Sequence, residues 1–365
     1  MKNYTISVIP GDGIGVEVMR EGQRVLDRIA KLDGGFRFEY TSYDWSCEYY
    51  AKTGKMMSDD GMQRLADSDA ILLGAVGFPG VPDHVSLRDL LLRIRQGFDQ
   101  YINLRPVKLL DERDCPIKGK TVADVDMVFV RENTEGEYSG FGGRMRADTE
   151  DEVVVQSSVF TRRNTERLMR YAFDLARSRA ASRRAAGRKT FGKLSSATKS
   201  NALNYSMVFW DEVFAKIGSE YPDISSDQYH VDALAMFMVQ RPEDFDVIVA
   251  SNLFGDILTD LGGVLQGGLG FAAGGNINPE RRYPSMFEPV HGSAPSLAGK
   301  NTANPIAMVW TAKLMLDFLG HVDAGNKLLE AINKVVTGDR TGLTADMGGS
   351  GTTSGVGDML IDALS

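Results

Sequence analysis

Val249-Ala-Ser-Asn-Leu-Phe-Gly-Asp-Ile-Leu-Thr-Asp260 reads as the end of a strand passing directly into a helix. The apolar run 245–250 has the length and composition of a buried strand. Ser251 or Asn252 can cap the helix that follows by accepting from its first free N–H groups. On that helix Asp256 and Asp260 are four residues apart, so both carboxylates lie on one face. Like charges at that spacing repel unless a cation lies nearby, and a hard divalent ion such as Mg²⁺ or Mn²⁺ takes oxygen ligands of this kind. An isolated D-x-x-x-D is more often a solvated acidic face, so the rest of the chain must decide.

The same strand-to-helix alternation extends outward in both directions and indicates an α/β class. Residues 4–9 form a strand, 11–15 a glycine turn and 16–31 a helix; 36–42 is a second strand, 59–68 a helix and 70–74 a buried strand. A helix is expected at 87–98, a strand at 125–131, and helices at 163–179, 305–319 and 324–336. Residues 140–161 break the pattern: glycines, then Glu150, Asp151 and Glu152, then an alternating apolar run, which suggests a hairpin or arm projecting from the body.

The 365 residues correspond to roughly two domains at ~100–200 residues each. Hydrophobic residues make up 43% and charged residues 25%, enough for a sizeable core. A net charge of −8 argues against a general nucleic-acid surface. The local exception, Arg177 to Lys193, is short and lacks interleaved aromatics, and reads as a solvated helix end and loop. The two cysteines, Cys47 and Cys115, form neither a metal-ligand spacing nor a disulfide framework. No apolar run approaches the ~18–20 residues that span a membrane, and a strand begins almost at Met1, so a cytoplasmic protein with no membrane partner is expected.

Four groups carry chemistry. Gly11-Asp-Gly-Ile-Gly15 sits between strand and helix but has Val16 where a G-x-G-x-x-G fingerprint needs its last glycine, so a structural turn with close backbone approach is the better reading. Arg93, Arg95, Arg105 and Arg131 are either independent ion pairs or a set converging on a small polyanionic acid, since arginine forks match carboxylates. Tyr138, Lys199 and Asp232 are individually unremarkable, but with Asp256 and Asp260 they supply an acid, a base and a metal site. Phe287-Glu-Pro-Val-His-Gly-Ser-Ala-Pro-Ser296, followed by Asn304-Pro305, is a rigid loop offering backbone groups, a histidine and an asparagine to a ligand.

Taken together, Pro10-Gly-Asp-Gly-Ile-Gly15, Asn103-Leu-Arg-Pro106, Val130-Arg-Glu-Asn-Thr-Glu-Gly136, the aspartate motif and Glu288-Pro-Val-His-Gly-Ser-Ala-Pro295 resemble the metal-dependent β-decarboxylating dehydrogenases over nearly the whole chain. Pro82-Asp-His-Val-Ser-Leu87, Phe98-Asp-Gln-Tyr-Ile-Asn103 and Asn278-Pro-Glu-Arg281 are similar to the tartrate/D-malate branch of that family. The resemblance implies an isopropylmalate dehydrogenase-like two-domain α/β fold: a discontinuous cofactor domain of residues 1–100 and 268–365, and an inserted substrate and dimerisation domain, 101–267, with an arm near 140–160.

It also implies roles. Arg95, Arg105 and Arg131 would hold the carboxylates of a 2-hydroxy dicarboxylate. Asp232, Asp256 and Asp260 would hold Mn²⁺ or Mg²⁺, with K⁺ a further candidate cation. Lys199 would act as base and Tyr138 as acid, with Lys199 and Asp232 reaching across a homodimer interface to share active sites. Asn201, His291, Gly292, Ser293, Ala294, Pro295 and Asn304 would contact NAD.

Two departures stand out. Ser296 occupies the position where NAD-using members usually carry Asp, while the Lys-Tyr pair of some NADP-using relatives is absent too. Arg88 stands where isopropylmalate members usually have Glu. Isopropylmalate or isocitrate oxidation is the alternative within the family. A noncatalytic regulatory or RNA-binding relative is the alternative from another class, opposed by the presence of Tyr138, Lys199 and all three aspartates.

Overall fold

The computed structural model describes residues 1–365 and divides the chain into two compact units. The first comprises Met1–Gln100, Leu109–Lys118 and Gln266–Ser365; the second comprises Tyr101–Lys108 and Gly119–Leu265. Each contributes its own run of strands and its own buried side chains.

In the first unit the strand Lys2–Gly11 lies between Phe36–Ser42 and Ala70–Ala75, parallel to both. Ser285–Pro289 adds in parallel to Ala70–Ala75, and Ala273–Ile277 pairs antiparallel with Ser285–Pro289. The inner strands are buried on both faces, which is why they read as continuous apolar runs rather than alternating ones. Helices Gly15–Asp33, Ile306–Leu319, Val322–Thr337 and Thr353–Ala363 cover the sheet. Helix Ile306–Leu319 is apolar nearly all round, and most of it is buried.

The second unit is built on Asp126–Glu132, Val247–Ala250, Lys193–Thr198 and Ser225–His230, each parallel to its neighbour in that order. Ile102–Lys108 pairs antiparallel with Asp126–Glu132, opposing Asn103 to Arg131 and Arg105 to Phe129. Helices Arg162–Ala185, Ser206–Gly218, Val231–Gln240 and Asn252–Leu265 pack on this sheet. Gly142–Met145 and Val153–Gln156 form a separate antiparallel ribbon, the hairpin expected from the broken pattern.

Several expectations shift. The helix at 163–179 runs on to Ala185. The segment around Arg105, for which no element is expected above, is a strand, Ile102–Lys108. The helix expected at 87–98 begins at Asp83 and contains a wide π-helical turn, Leu87–Leu92.

The basic stretch after Arg177 is not simply solvated. Arg183 is buried and, with Arg179, approaches both Asp126 and Asp246; Arg188 also pairs with Asp126. Burial pushes the Asp126 carboxyl up, but the surrounding arginines more than offset this and hold it below the usual carboxylate range. These charges are part of the unit's internal framework.

Candidate active site

Parallel pairing gathers the predicted residues of the second unit at one edge of its sheet. Arg131 lies beside Ala250, and Thr198 lies beside His230, at the carboxyl ends of four parallel strands. Lys199 follows Thr198, Asp232 opens the helix after His230, and Asp256 lies one turn into the helix that begins at Asn252, just after Ala250. In open α/β sheets ligands bind outside these carboxyl ends, where loops and helix N-termini converge.

Asp256 is the hub. Its Oδ1 accepts from Arg131 Nη1 at 2.5 Å and from Arg105 Nη1 at 3.4 Å, and its Oδ2 accepts from the Tyr138 hydroxyl at 2.9 Å. Arg105 also donates to Thr259 Oγ1 at 2.6 Å. Arg131 is fixed further by Nε to the Asn252 carbonyl at 2.8 Å and Nη2 to Asn252 Oδ1 at 2.7 Å. Its path over the helix requires Gly255: a Cβ there would lie 2.5 Å from Arg131 Cγ. Arg105 and Arg131 therefore share one carboxylate, contrary to the reading of separate ion pairs.

The cap of this helix differs from expectation. Neither Ser251 nor Asn252 accepts from its first turn through a side chain. Instead the Glu137 carboxylate accepts from Leu253 N–H and from the Ser251 hydroxyl, both at 3.0 Å. Asn252 is occupied with Arg131 and with the Glu135 carbonyl. Glu137 thus ties the loop carrying Tyr138 to the helix carrying Asp256. Glu132 anchors the other end of that loop: its buried carboxyl accepts from Thr134 N–H, Glu135 N–H and Asn164 Nδ2 at 2.7–2.9 Å. Glu132 lies inside the quoted motif 130–136 and Glu137 directly after it, yet nothing in their spacing marks them as loop anchors.

Asp260, one turn beyond Asp256, has its carboxyl held up by burial and then by the Asp256 charge, with Arg105 and Arg131 acting in the opposite sense. Lys199 and Asp232 form a second pair, Nζ to Oδ1 at 2.5 Å. The ammonium holds Asp232 below the usual carboxylate range. Asp232 is exposed, and Asn201 lies exposed in the turn just after Lys199.

The donors fit a divalent cation in type, all being carboxylate oxygens. In number a single chain falls short: nowhere does it bring together three His, Cys, Asp or Glu that could hold a metal. Asp256 and Asp260 lie on one helix, while Asp232 belongs to the Lys199 pair.

The remaining predicted residues lie in the first unit. Arg95 is buried and donates from Nη2 to Glu288 Oε1 at 2.6 Å, an oxygen that also accepts from Asn276 Nδ2. Its Nε has no partner although buried. Residues 291–295 lie against the glycine turn: Ile14 N–H donates to the Ser293 carbonyl at 2.8 Å, and a Cβ on Gly13 would lie 2.0 Å from that same oxygen. The turn is thus a seat for the loop, as its failed fingerprint suggests. Ala294 adopts left-handed backbone, φ 39°.

Ile14, His291, Leu297, Ala303 and Asn304 line a largely apolar cavity of about 240 Å³. Burial holds the His291 imidazole below its ordinary range, so it is neutral, and its Nε2 has no partner. Asn304 is less available than its position suggests. Its Nδ2 donates to Asp346 and its Oδ1 accepts from Ile306 N–H, so its side chain also serves the start of helix Ile306–Leu319. Arg88 and Arg93 are exposed on their helix.

The family model for isocitrate/isopropylmalate dehydrogenase matches residues 5–360. The chain is 52% identical to D-malate dehydrogenase (decarboxylating) of Escherichia coli (strain K12), over 99% of this chain and 98% of that protein. It is 49% identical to tartrate dehydrogenase/decarboxylase of Pseudomonas putida, over 99% and 98% respectively. Among solved structures, isocitrate dehydrogenase from Methylococcus capsulatus superposes with a TM-score of 0.85 at 32% identity, covering 99% of each chain.

Proposed function

The chain belongs to the isocitrate/isopropylmalate dehydrogenase family and is a decarboxylating dehydrogenase, and on that premise we propose that it oxidises a small 2-hydroxy dicarboxylate, D-malate or tartrate, using NAD⁺ and Mn²⁺ or Mg²⁺. D-malate would yield pyruvate, CO₂ and NADH. The constellation around Asp256 carries this reading. Arg105 and Arg131 balance Asp256 and Asp260 in formal charge. A divalent cation held by the two aspartates leaves a net charge matching a dicarboxylate. The names of the relatives point to the same substrate class.

Asp256 and Asp260 would hold the metal, with Asp232 supplied by the second subunit of a homodimer. A metal held there would supply Lewis acidity at the substrate's 2-hydroxyl, and a nicotinamide would supply the hydride acceptor. Arg95, Arg105 and Arg131 bind and orient the carboxylates. Lys199, once it has given up its own proton and is a neutral amine, would take the proton from the 2-hydroxyl, and Asp232, at 2.5 Å, would position it. Tyr138, already donating to Asp256 in this structure, delivers a proton to C3 after CO₂ leaves. Neutral His291 and the apolar cavity beside it suit an adenine ring, with Asn201, Gly292, Ser293, Ala294, Pro295 and Asn304 as further NAD contacts. The inserted segment of the chain and its arm would carry the dimer contacts.

A substrate panel tests the assignment. Purified protein with Mn²⁺, K⁺ and NAD⁺ is offered D-malate, L-malate, both tartrates, isopropylmalate and isocitrate, and NADH is followed. The highest kcat/KM is expected with D-malate or a tartrate, and a much lower KM for NAD⁺ than for NADP⁺. Preference for isopropylmalate or isocitrate would overturn the substrate class, and equal coenzyme constants would overturn the NAD assignment.

A further inference from the structure

The parallel strands of the first unit have two ends. The His291 cavity lies beyond their carboxyl ends. A second cavity, of about 230 Å³, lies at their amino ends, where Lys2, Ser68, Asp69 and the segment before Ser285 come together. Its lining is mostly polar and includes Lys2, Arg281, Arg282 and Tyr283.

The charges here are unusual for this molecule. The chain is acidic overall, and many of its arginines are ion-paired. None of the three cations at this cavity pairs with a carboxylate. Lys2 Nζ rests over the Tyr4 ring at 4.5 Å, and Arg281 lies over Phe318 at 4.7 Å while donating to the Phe318 carbonyl. The Arg282 side chain has no hydrogen-bond or ion-pair partner. The one carboxylate in the lining, Asp69, accepts from Thr5 N–H at 2.8 Å and is bonded to none of the cations.

The backbone presents these groups at a cost. Arg281 has a left-handed φ of 54°, a conformation that disfavours a long side chain. The turn is held by Arg281 N–H to the Asn278 carbonyl at 3.0 Å and Arg282 N–H to Asn278 Oδ1 at 2.9 Å. Buried Asn278 is itself anchored through Nδ2 to the Asp99 carbonyl. A rigid, strained turn thus aims two adjacent guanidinium groups at a polar cavity, with an ammonium alongside and the half-exposed Tyr283 ring in the wall. Like charges left unpaired beside one another repel, and an anion bridging them removes that repulsion.

We propose that this cavity is a binding site for a small organic polyanion, a phosphate ester or a polycarboxylate, sharing no residue with those proposed for catalysis. Lys2, Arg281 and Arg282 supply the charge recognition.

The test is calorimetric titration of the full-length protein with pyrophosphate, ADP and citrate, beside the double variant Lys2→Ala/Arg282→Ala. Neither side chain has a polar partner, so the variant should fold, as a matching thermal midpoint would show. NADH and the dicarboxylate substrate, a pair that cannot turn over, are kept saturating so that the catalytic arginines are occupied. At least one probe should bind, and the variant should weaken it by about tenfold or more, a loss of about 1.4 kcal/mol. Tightest binding of ADP would identify a nucleotide-type phosphate, of pyrophosphate a phosphate without a base, and of citrate a polycarboxylate. Absence of binding by all three up to about 5 mM, or equal affinity in the variant, would overturn the proposal.

Discussion

Lys199 shows how a single residue can be placed by pattern and explained only by packing. Sequence resemblance nominates it as a base; the register Thr198↔His230 explains why Asp232 is its neighbour. Removing a positioned base typically costs about 10²–10⁴ in rate. Lys199→Ala should therefore lower kcat by at least about 100-fold while leaving NADH and Mn²⁺ binding, read by fluorescence titration, largely intact. Turnover near that of the unmodified protein would reject the role. Arg105 and Arg131 teach a complementary lesson. Spacing alone favoured independent ion pairs over a converging set, because residues 26 positions apart in the chain carry no sign of sharing a partner. Antiparallel pairing of their strands and the neighbouring helix bring both to Asp256.

At the scale of elements, the glycine turn and the loop 291–295 form one device though nearly 280 residues separate them in the chain. Gly13 has φ 58° and no room for a Cβ against the Ser293 carbonyl, whereas Gly54, with φ 73°, ends a helix in open space. Alanine at Gly54 should cost only the left-handed penalty, about 1–2 kcal/mol. Alanine at Gly13 should cost more and also weaken NAD⁺ binding, because Ser293 must move. Urea midpoints and an NAD⁺ titration check this; equal effects at the two positions would refute the seating of the loop. The turn was legible because glycine spacing reports backbone demand. The Glu137 cap was not, because it comes from a segment over 100 residues away and replaces the local cap that Ser251 and Asn252 suggest.

At the scale of the whole molecule, the ribbon Gly142–Met145/Val153–Gln156 is the conspicuous unfinished surface. Phe141, Met145 and Val154 are each 63% exposed. A two-stranded ribbon is marginal in water without something to cover it. If it clasps a second copy, sedimentation should give twice the 40.0 kDa chain mass. Met145→Asp/Val154→Asp should then shift the species toward one chain and reduce turnover, since Asp232 would no longer be delivered; a stable active dimer in the variant would exclude the ribbon from the interface. The α/β class, the main strands and the chemical inventory were readable because periodicity and residue type act locally. The carboxylate that the arginines share, the real cap of the aspartate helix, the internal pairing of the basic stretch and the cations around the amino-end cavity emerged only on folding. Each depends on which distant segments become neighbours, and long-range strand pairing, rather than local preference, sets that.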